Sequence, residues 1–331
     1  MGFLFAIPTA ILAYFARLGW VRSIALLVGA GFAGVLLISL GSTVSSYLAS
    51  PPAATAEEEF HKHPKHLKLA SDSPFGRFDQ AQLQRGFQVY KEVCAACHSL
   101  NLVSFYHLEG LGYNEAQIKN IAAGWPIEVP TVNAETGEPA IRKALASDRF
   151  PNPYANETAA RAANNNALPP DLSLMTKARE GGGAYVYSLL TGYANPKTYR
   201  NEKGEPLPAA NQPGQGLHFN PYFANLNIAM PPPLSSDGQV TYAEGNPAPT
   251  VDQMARDVAA FLVWTAEPTM DRRKDVGFAV ALFLLIGTVL AYMAYQNLWY
   301  SAKRKVAPVG VLDSGNRAKR TRASRKAGIK E

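Results

Sequence analysis

The sequence predicts a mainly α-helical protein with long irregular loops, in which one water-facing head is set between two hydrophobic helices. Three observations predict it. Two runs free of charged residues, Ser23 to Leu48 and Val276 to Tyr300, each reach the roughly 20 residues that a bilayer-spanning helix needs. Segments beginning at Asp79, Asn114 and Thr250 place apolar residues at helical spacing behind a capping side chain. Between the second and third of these, residues 151–249 are rich in Asn, Pro and Gly over a length far beyond an ordinary connection.

Taken in order, the chain opens with a short apolar block, Phe3 to Phe15, broken by Pro8 and followed by Arg17 and Arg22, too short to span a bilayer. The Ser23 to Leu48 run fits either an export signal or a membrane anchor. Ala54-Thr55-Ala56 offers a small-residue cleavage site, later than a usual signal places it. Little here resembles a mitochondrial presequence, which would be rich in Arg and Ser. Residues 1–56 therefore form an N-terminal hydrophobic segment with its linker, and 57–270 form the head. Pro51 to Pro74 reads as a polar linker carrying His61, His63 and His66. Asp79 caps a helix of about four turns through Leu83, Phe87, Tyr90 and Val93, which brings Cys94 to its end.

Residues 101–149 are irregular apart from a helix over Asn114 to Ala123, and the loop-rich stretch after them carries helices at Ala155 to Asn164 and Tyr185 to Leu190. Loops of such length in a compact head line something bulky. Thr250 and Gln253 fit a reciprocal capping box, and the helix they start runs through Met254, Val258, Phe261, Leu262 and Trp264 until Glu267-Pro268 ends it. A transmembrane helix over 271–300 follows, with Trp299 and Tyr300 where an aromatic belt is expected. No internal repeat is visible.

The formal charge of +6 hides an uneven distribution. Between Glu57 and Met270 there are 17 Lys plus Arg against 22 Asp plus Glu, a net −5, whereas the tail over 301–331 has ten basic residues against Asp313 and Glu331, a net +8. Basic residues beside a membrane helix stay on the cytoplasmic side. The tail is thus expected in the cytoplasm and the head outside, with Arg272, Arg273 and Lys274 opposing but outnumbered. For the tail, a topology signal or contact with anionic membrane lipid is favoured over nucleic acid, and no nucleic-acid partner is expected.

The chain has two cysteines, Cys94 and Cys97, so no disulfide framework can be built. In an exported head such a pair oxidises unless other chemistry occupies it. Cys94-Ala95-Ala96-Cys97-His98 is a C-x-x-C-H motif: two thiols add to haem vinyl groups as thioethers, and the next residue sets an imidazole under the iron. A thioredoxin-like pair would sit in a βαβ unit. A zinc site would need distant His107 and His218 as further ligands. One covalently bound haem c is the reading that needs the fewest additions.

Electron-carrying haems of this kind take His or Met as the second axial ligand. Met175, Met230, Met254 and Met270 are the methionines of the head and its membrane junction. Met254 lies on the apolar stripe of its helix and Met270 at the junction, leaving Met175 and Met230, with His still open. Met230 begins Met230-Pro231-Pro232-Pro233, whose prolines preset the backbone at little ordering cost.

Five ordered blocks carry a family resemblance: Arg85 through Ser99, Ala167 through Ser173, Ser188 through Tyr193, Asn220-Pro221-Tyr222-Phe223 ahead of Met230, and Ala266-Glu267-Pro268. From about Phe75 to the second membrane run, the sequence resembles the cytochrome c1 family of bacterial type, the haem subunits of ubiquinol–cytochrome c reductase. The resemblance implies a class I-like c-type cytochrome head and Met230 as the sixth ligand opposite His98. It implies Arg179 beside a haem propionate, and Asn164, Pro170 and Tyr185 packed on or bonded near the haem. It further implies membership of a dimeric complex in the bacterial inner membrane with cytochrome b, and a periplasmic head. There the haem would take one electron from the Rieske iron–sulfur protein and pass it to a soluble c-type cytochrome, without substrate bond chemistry of its own. Asn166 stands where the family commonly has Gly, so a different local backbone is expected there, and Glu180 stands where many relatives have His. No second cysteine pair staples the head, and the basic tail and long N-terminus lie outside the resemblance.

Overall fold

The computed structural model describes residues 20–51 and 55–305. The Phe3 to Phe15 block and almost all of the basic tail lie outside the described residues. The two apolar runs form long helices, α1 (Trp20–Ala49) and, at the other end of the chain, a helix over Met270–Lys305. Both are long and apolar enough to cross a membrane, and neither buries its apolar window against protein. Each begins earlier than its charge-free run because a helix tolerates charged residues in its first turns once these reach water.

The chain divides into two compact units. The first holds the residues up to His61 together with Arg200–Asn211. Here Thr55 caps α2 (Ala56–Phe60) in a reciprocal box with Glu58, Phe60 and Leu207 are buried, and Lys203 pairs with Glu59 at 2.9 Å. This corrects the expected polar linker at its start. It is corrected again at Leu67 and Leu69, which belong to the main core of the second unit. An apolar residue every few positions was enough to bury a stretch whose composition is polar.

The second unit is built on α3 (Gln80–Glu92) and a helix over Val251–Ala266 that packs across it. Asp79 caps α3 as its sequence predicts, accepting from the amides of Ala81 and Gln82. The two helices approach so closely at Gly86 that a Cβ there would run into the Asp257 carbonyl. Beside this crossing Arg85 makes a two-pronged pair with the fully buried Asp257, at 2.9 and 3.2 Å. Phe87, Tyr90, Phe105, Trp125, Phe150 and Phe261 form one aromatic core beneath, with the Phe105 and Phe150 rings 4.3 Å apart.

The remaining elements wrap this pair. Asn114 caps α4 (Glu115–Ala123) as expected. A short antiparallel hairpin, β1 (Val129–Val132) with β2 (Pro139–Arg142), was not foreseen: its strands are four residues long and mostly exposed, without a buried alternating face. The helix expected at Ala155 to Asn164 is α5 (Glu157–Ala163), a single turn α6 (Met175–Ala178) was missed, and α7 (Gly182–Leu190) starts three residues before the predicted Tyr185. A two-residue pair, β3 (His218–Phe219) with β4 (Asn227–Ile228), follows, then α8 (Val251–Ala266) and α9 (Met270–Lys305). At α8 the box is half made. Thr250 accepts from the Gln253 amide, but the Gln253 side chain turns to Asp257 at 2.9 Å, where a buried carboxylate needs a donor.

Candidate haem site

α3 ends at Val93, and Cys94–Ala96 tighten into a 3-10 turn. The amides of Cys97 and His98 both donate to the Cys94 carbonyl, at 3.1 and 2.9 Å. Both cysteines are half-buried and make no disulfide with each other, and one turn of backbone carries two sulfurs and an imidazole. Burial, with Cys97 beside it, pushes the Cys94 thiol up to about 12. A thiolate is thus disfavoured, whereas a neutral thioether loses little in such surroundings.

His98 donates from Nδ1 to the Pro170 carbonyl at 2.8 Å. A carbonyl only accepts, so the proton is on Nδ1 and Nε2 keeps its lone pair, the orientation of a metal-ligating histidine fixed by an outer partner. Burial holds the imidazole below its ordinary proton affinity, against the opposing pull of the Pro170 bond and the Asp171 charge. The carbonyl is placed by its neighbours. Asp171 accepts from Ser99 Oγ, the Asn101 amide and the Ser173 amide, at 2.9, 2.7 and 2.9 Å, and the Leu172 amide donates to the Ser99 carbonyl at 2.9 Å. Asp171 was not singled out from the sequence, although it sits inside the Pro-Pro-Asp-Leu-Ser block.

On the Cys97 side, Asn164 donates from its amide to Tyr154 Oη at 3.0 Å and to the Ala160 carbonyl at 2.7 Å, and Tyr154 stands against Cys97. Tyr154 is the missed residue here. Asn165 and Asn166 follow with φ of 51° and 64°, a left-handed conformation that Asn adopts more readily than most side chains. Asn166 thus takes a left-handed backbone of the kind that glycine favours, its amide donating to the Arg161 carbonyl at 2.9 Å.

A second group lies on α6, α7 and the following loops. Arg179 caps the end of α6, donates to the Ala178 carbonyl at 3.1 Å and sits beside Tyr185. Burial raises the Tyr185 phenol, with the Arg179 charge pulling it back, and burial with Tyr185 nearby raises Tyr193. Tyr193 therefore stays a neutral donor, and it donates to the Met230 carbonyl at 3.0 Å. The fully buried Asn220 donates to the Leu189 carbonyl at 2.8 Å, accepts from the Tyr222 amide at 3.0 Å, and gives its own amide to Leu226 at 2.7 Å. Leu226 is left-handed, φ 64°, a conformation uncommon for such a side chain. This clasp closes β3 onto β4 and delivers Met230 two residues after Ile228.

The predicted residues thus fall into two groups, one of Cys94, Cys97, His98, Pro170 and Asn164, joined by the unpredicted Tyr154, the other of Arg179, Tyr185 and Met230, joined by the unpredicted Tyr193. Met254 is fully buried in the main core and Met175 packs against it. Among the described residues no three His, Cys, Asp or Glu side chains converge as a metal-binding cluster, so the distant histidines do not complete a zinc site with the thiols. The donor set fits a haem: neutral sulfurs one turn apart, an imidazole with its coordinating nitrogen unspent, and a thioether on an independently fixed backbone.

Comparison with known proteins agrees in kind. The model of the cytochrome C1 family matches residues 69–302. Cytochrome c1 of Rhodospirillum rubrum is 44% identical over 69% of this chain and 85% of its own length. A mitochondrial cytochrome c1 haem protein of Arabidopsis thaliana is 42% identical over 86% of this chain and 88% of its own. A protein named cytochrome b/c1 from Bradyrhizobium diazoefficiens is 40% identical over 79% of this chain and 39% of its own.

Proposed function

The chain belongs to the cytochrome c1 family, a membrane-anchored haem c subunit of the reductase complex in electron transport, and on that premise we propose how its residues hold the haem and whom it serves. Cys94 and Cys97 would hold the haem through two thioether bonds, His98 Nε2 and the Met230 sulfur would supply ligands to its iron, and Arg179, Asn164, Pro170 and Tyr185 would complete the surroundings. The observation that carries this reading is the His98–Pro170 bond at 2.8 Å, since it leaves one nitrogen of that ring for a metal. Met230 is favoured because Met254 is fully buried in the apolar core and Met175 packs against that core, whereas Met230 lies on a loop backbone tied by Tyr193.

When bound, the haem supplies one-electron chemistry at its iron. The residues do the rest. Pro170 orients the imidazole with its proton on Nδ1, burial favours its neutral form, Tyr193 and Asn220 fix the backbone that offers the thioether, and the long loops exclude water. The helix pair α3 and α8 with loop-borne ligand residues is in keeping with a class I-like head over 57–270, preceded by the segment 1–56 and followed by the membrane helix 271–300 and the tail 301–331.

The electron comes from the Rieske iron–sulfur protein and goes to a soluble c-type cytochrome, in a dimeric complex with cytochrome b. The relative named cytochrome b/c1 unites both names in one chain, which supports that neighbour. A head of net charge −5 speeds encounter with a basic carrier. The strongly basic tail supports a cytoplasmic C-terminus and a periplasmic head in a bacterial inner membrane, with lipid around both apolar helices. The assignment is tested by Met230→Ala in the assembled complex: the thioether-linked haem remains by its pyridine haemochrome spectrum, while the midpoint potential falls sharply, because a Met ligand raises it. An unchanged potential removes Met230 from the iron.

A further inference from the structure

Where the head meets α9, residues 70–78 fold into a tight loop built around one lysine. Lys274 donates to the carbonyls of Ser71, Ser73 and Gly76 at 2.5, 2.9 and 3.0 Å. A Cβ on Gly76 would meet the Ala70 carbonyl, so glycine lets the loop close. Arg77 pairs with Asp275 at 2.9 Å, and the Phe78 amide donates to Asp271. Three helix residues, Asp271, Lys274 and Asp275, hold the loop to the first turns of the helix, and all lie at or before Asp275, the last charged residue before the apolar run.

Phe75 lies on the other side of that line. Its ring is 79% exposed and stands edge-on to Phe278, with centroids 5.8 Å apart. At 1.5 Å per residue, Phe278 is about 3 Å beyond Val276, inside the apolar run. A single exposed aromatic residue needs no explanation on a wet surface. This one is fastened beside a helix long and apolar enough to cross a membrane, level with the start of its charge-free run.

We propose that the loop 70–78 is a second membrane contact, with Phe75 inserted among the outermost acyl-chain carbons of the phospholipid bilayer beside Phe278, and Arg77, Lys274 and Asp275 at headgroup level. The partner is the bilayer because the loop continues the surface of a helix that already crosses it. A helix alone leaves the head free to swivel about its entry point, and a wedge rigidly tied to the helix fixes the tilt of the head. The inference rests on the membrane anchor and not on any haem residue.

The test uses the intact complex in phospholipid vesicles. In the haem-loaded chain both native cysteines are thioether-bonded, so Phe75→Cys introduces its free thiol for a nitroxide label, the signal of the unsubstituted complex being subtracted. Tyr106→Cys, on a surface residue of the head, and Phe283→Cys, within the apolar run, give the aqueous and hydrocarbon references. The label at 75 should show an oxygen-to-nickel accessibility ratio several-fold above that at 106 and below that at 283. A ratio equal to that at 106 overturns the proposal. Shielding from both relaxants also overturns it, because a protein neighbour then covers the loop. Pro74→Cys, which keeps Phe75, repeats the measurement one residue away and should read intermediate depth as well.

Discussion

Replacing Tyr193 by Phe isolates a bond that ties the Met230 backbone to α7's following turn. The Tyr193 phenol donates to the Met230 carbonyl at 3.0 Å, and burial keeps that phenol protonated throughout the working pH range. Phe keeps the ring and deletes only the donor. A neutral hydrogen bond contributes about 0.5–1.5 kcal/mol. If all of it steadies the thioether at the iron, and since tenfold in a one-electron equilibrium is about 59 mV, the midpoint potential falls by about 20–65 mV. The direction is downward because the Met ligand is the group that raises it. Redox titration of the complex reads the shift, and binding of added imidazole to the oxidised haem should become easier in step. A variant with the parent potential and the parent resistance to imidazole would show that this bond does not hold the ligand.

Three further substitutions probe the scaffold. Arg85→Met strands the fully buried Asp257 without its cation, beside Gln253 and the Tyr242 phenol, and loss of one partner from a buried pair costs about 3–5 kcal/mol. Denaturant unfolding followed by tryptophan fluorescence checks it, and a loss under 1 kcal/mol would place water at Asp257. Asp148 accepts from Arg142 and from the Leu145 amide, which hold its carboxyl below the usual range. A depressed folded value means stability that is present above the unfolded value of about 3.9 and lost as pH falls through the folded one. Asp148→Asn should therefore cost at most about 1 kcal/mol at pH 7, Arg142 being a third exposed, and less near pH 2. Equal differences at both values refute the charge argument. Asn220→Ala leaves the Leu189 carbonyl and the Tyr222 amide without their side-chain partner inside the protein, at about 1–3 kcal/mol each. A haem-stained gel should show attachment intact while the potential falls, and loss of staining would mean that the clasp acts on attachment instead.

The two sides of the site differ in how far a sequence can reveal them, and the difference is physical. The covalent side is local. Asp79 starts a helix, its apolar positions recur at the right spacing, and five consecutive residues after it supply both sulfurs and the imidazole, so nothing distant is needed to recognise it. The imidazole's second partner is 72 residues away at Pro170 and the donor to Met230 is 37 residues back at Tyr193. Both bonds end on backbone carbonyls, which every residue possesses, so composition cannot mark the acceptor. Family blocks pointed at these loops without saying what they do, and Asp171, Tyr154 and Tyr193 acquire roles only when the loops are folded. The same holds for the buried segment at Leu67 and Leu69, where a few apolar side chains in a polar stretch found a core that no local period announces. Ligand loops of this kind are specified by buried polar bonds such as those of Asn220 and by the left-handed turns at Asn166 and Leu226. Their stability is therefore separable from that of the helix crossing at Gly86, and a change in the Met230 loop can retune the haem without unfolding the head that carries it.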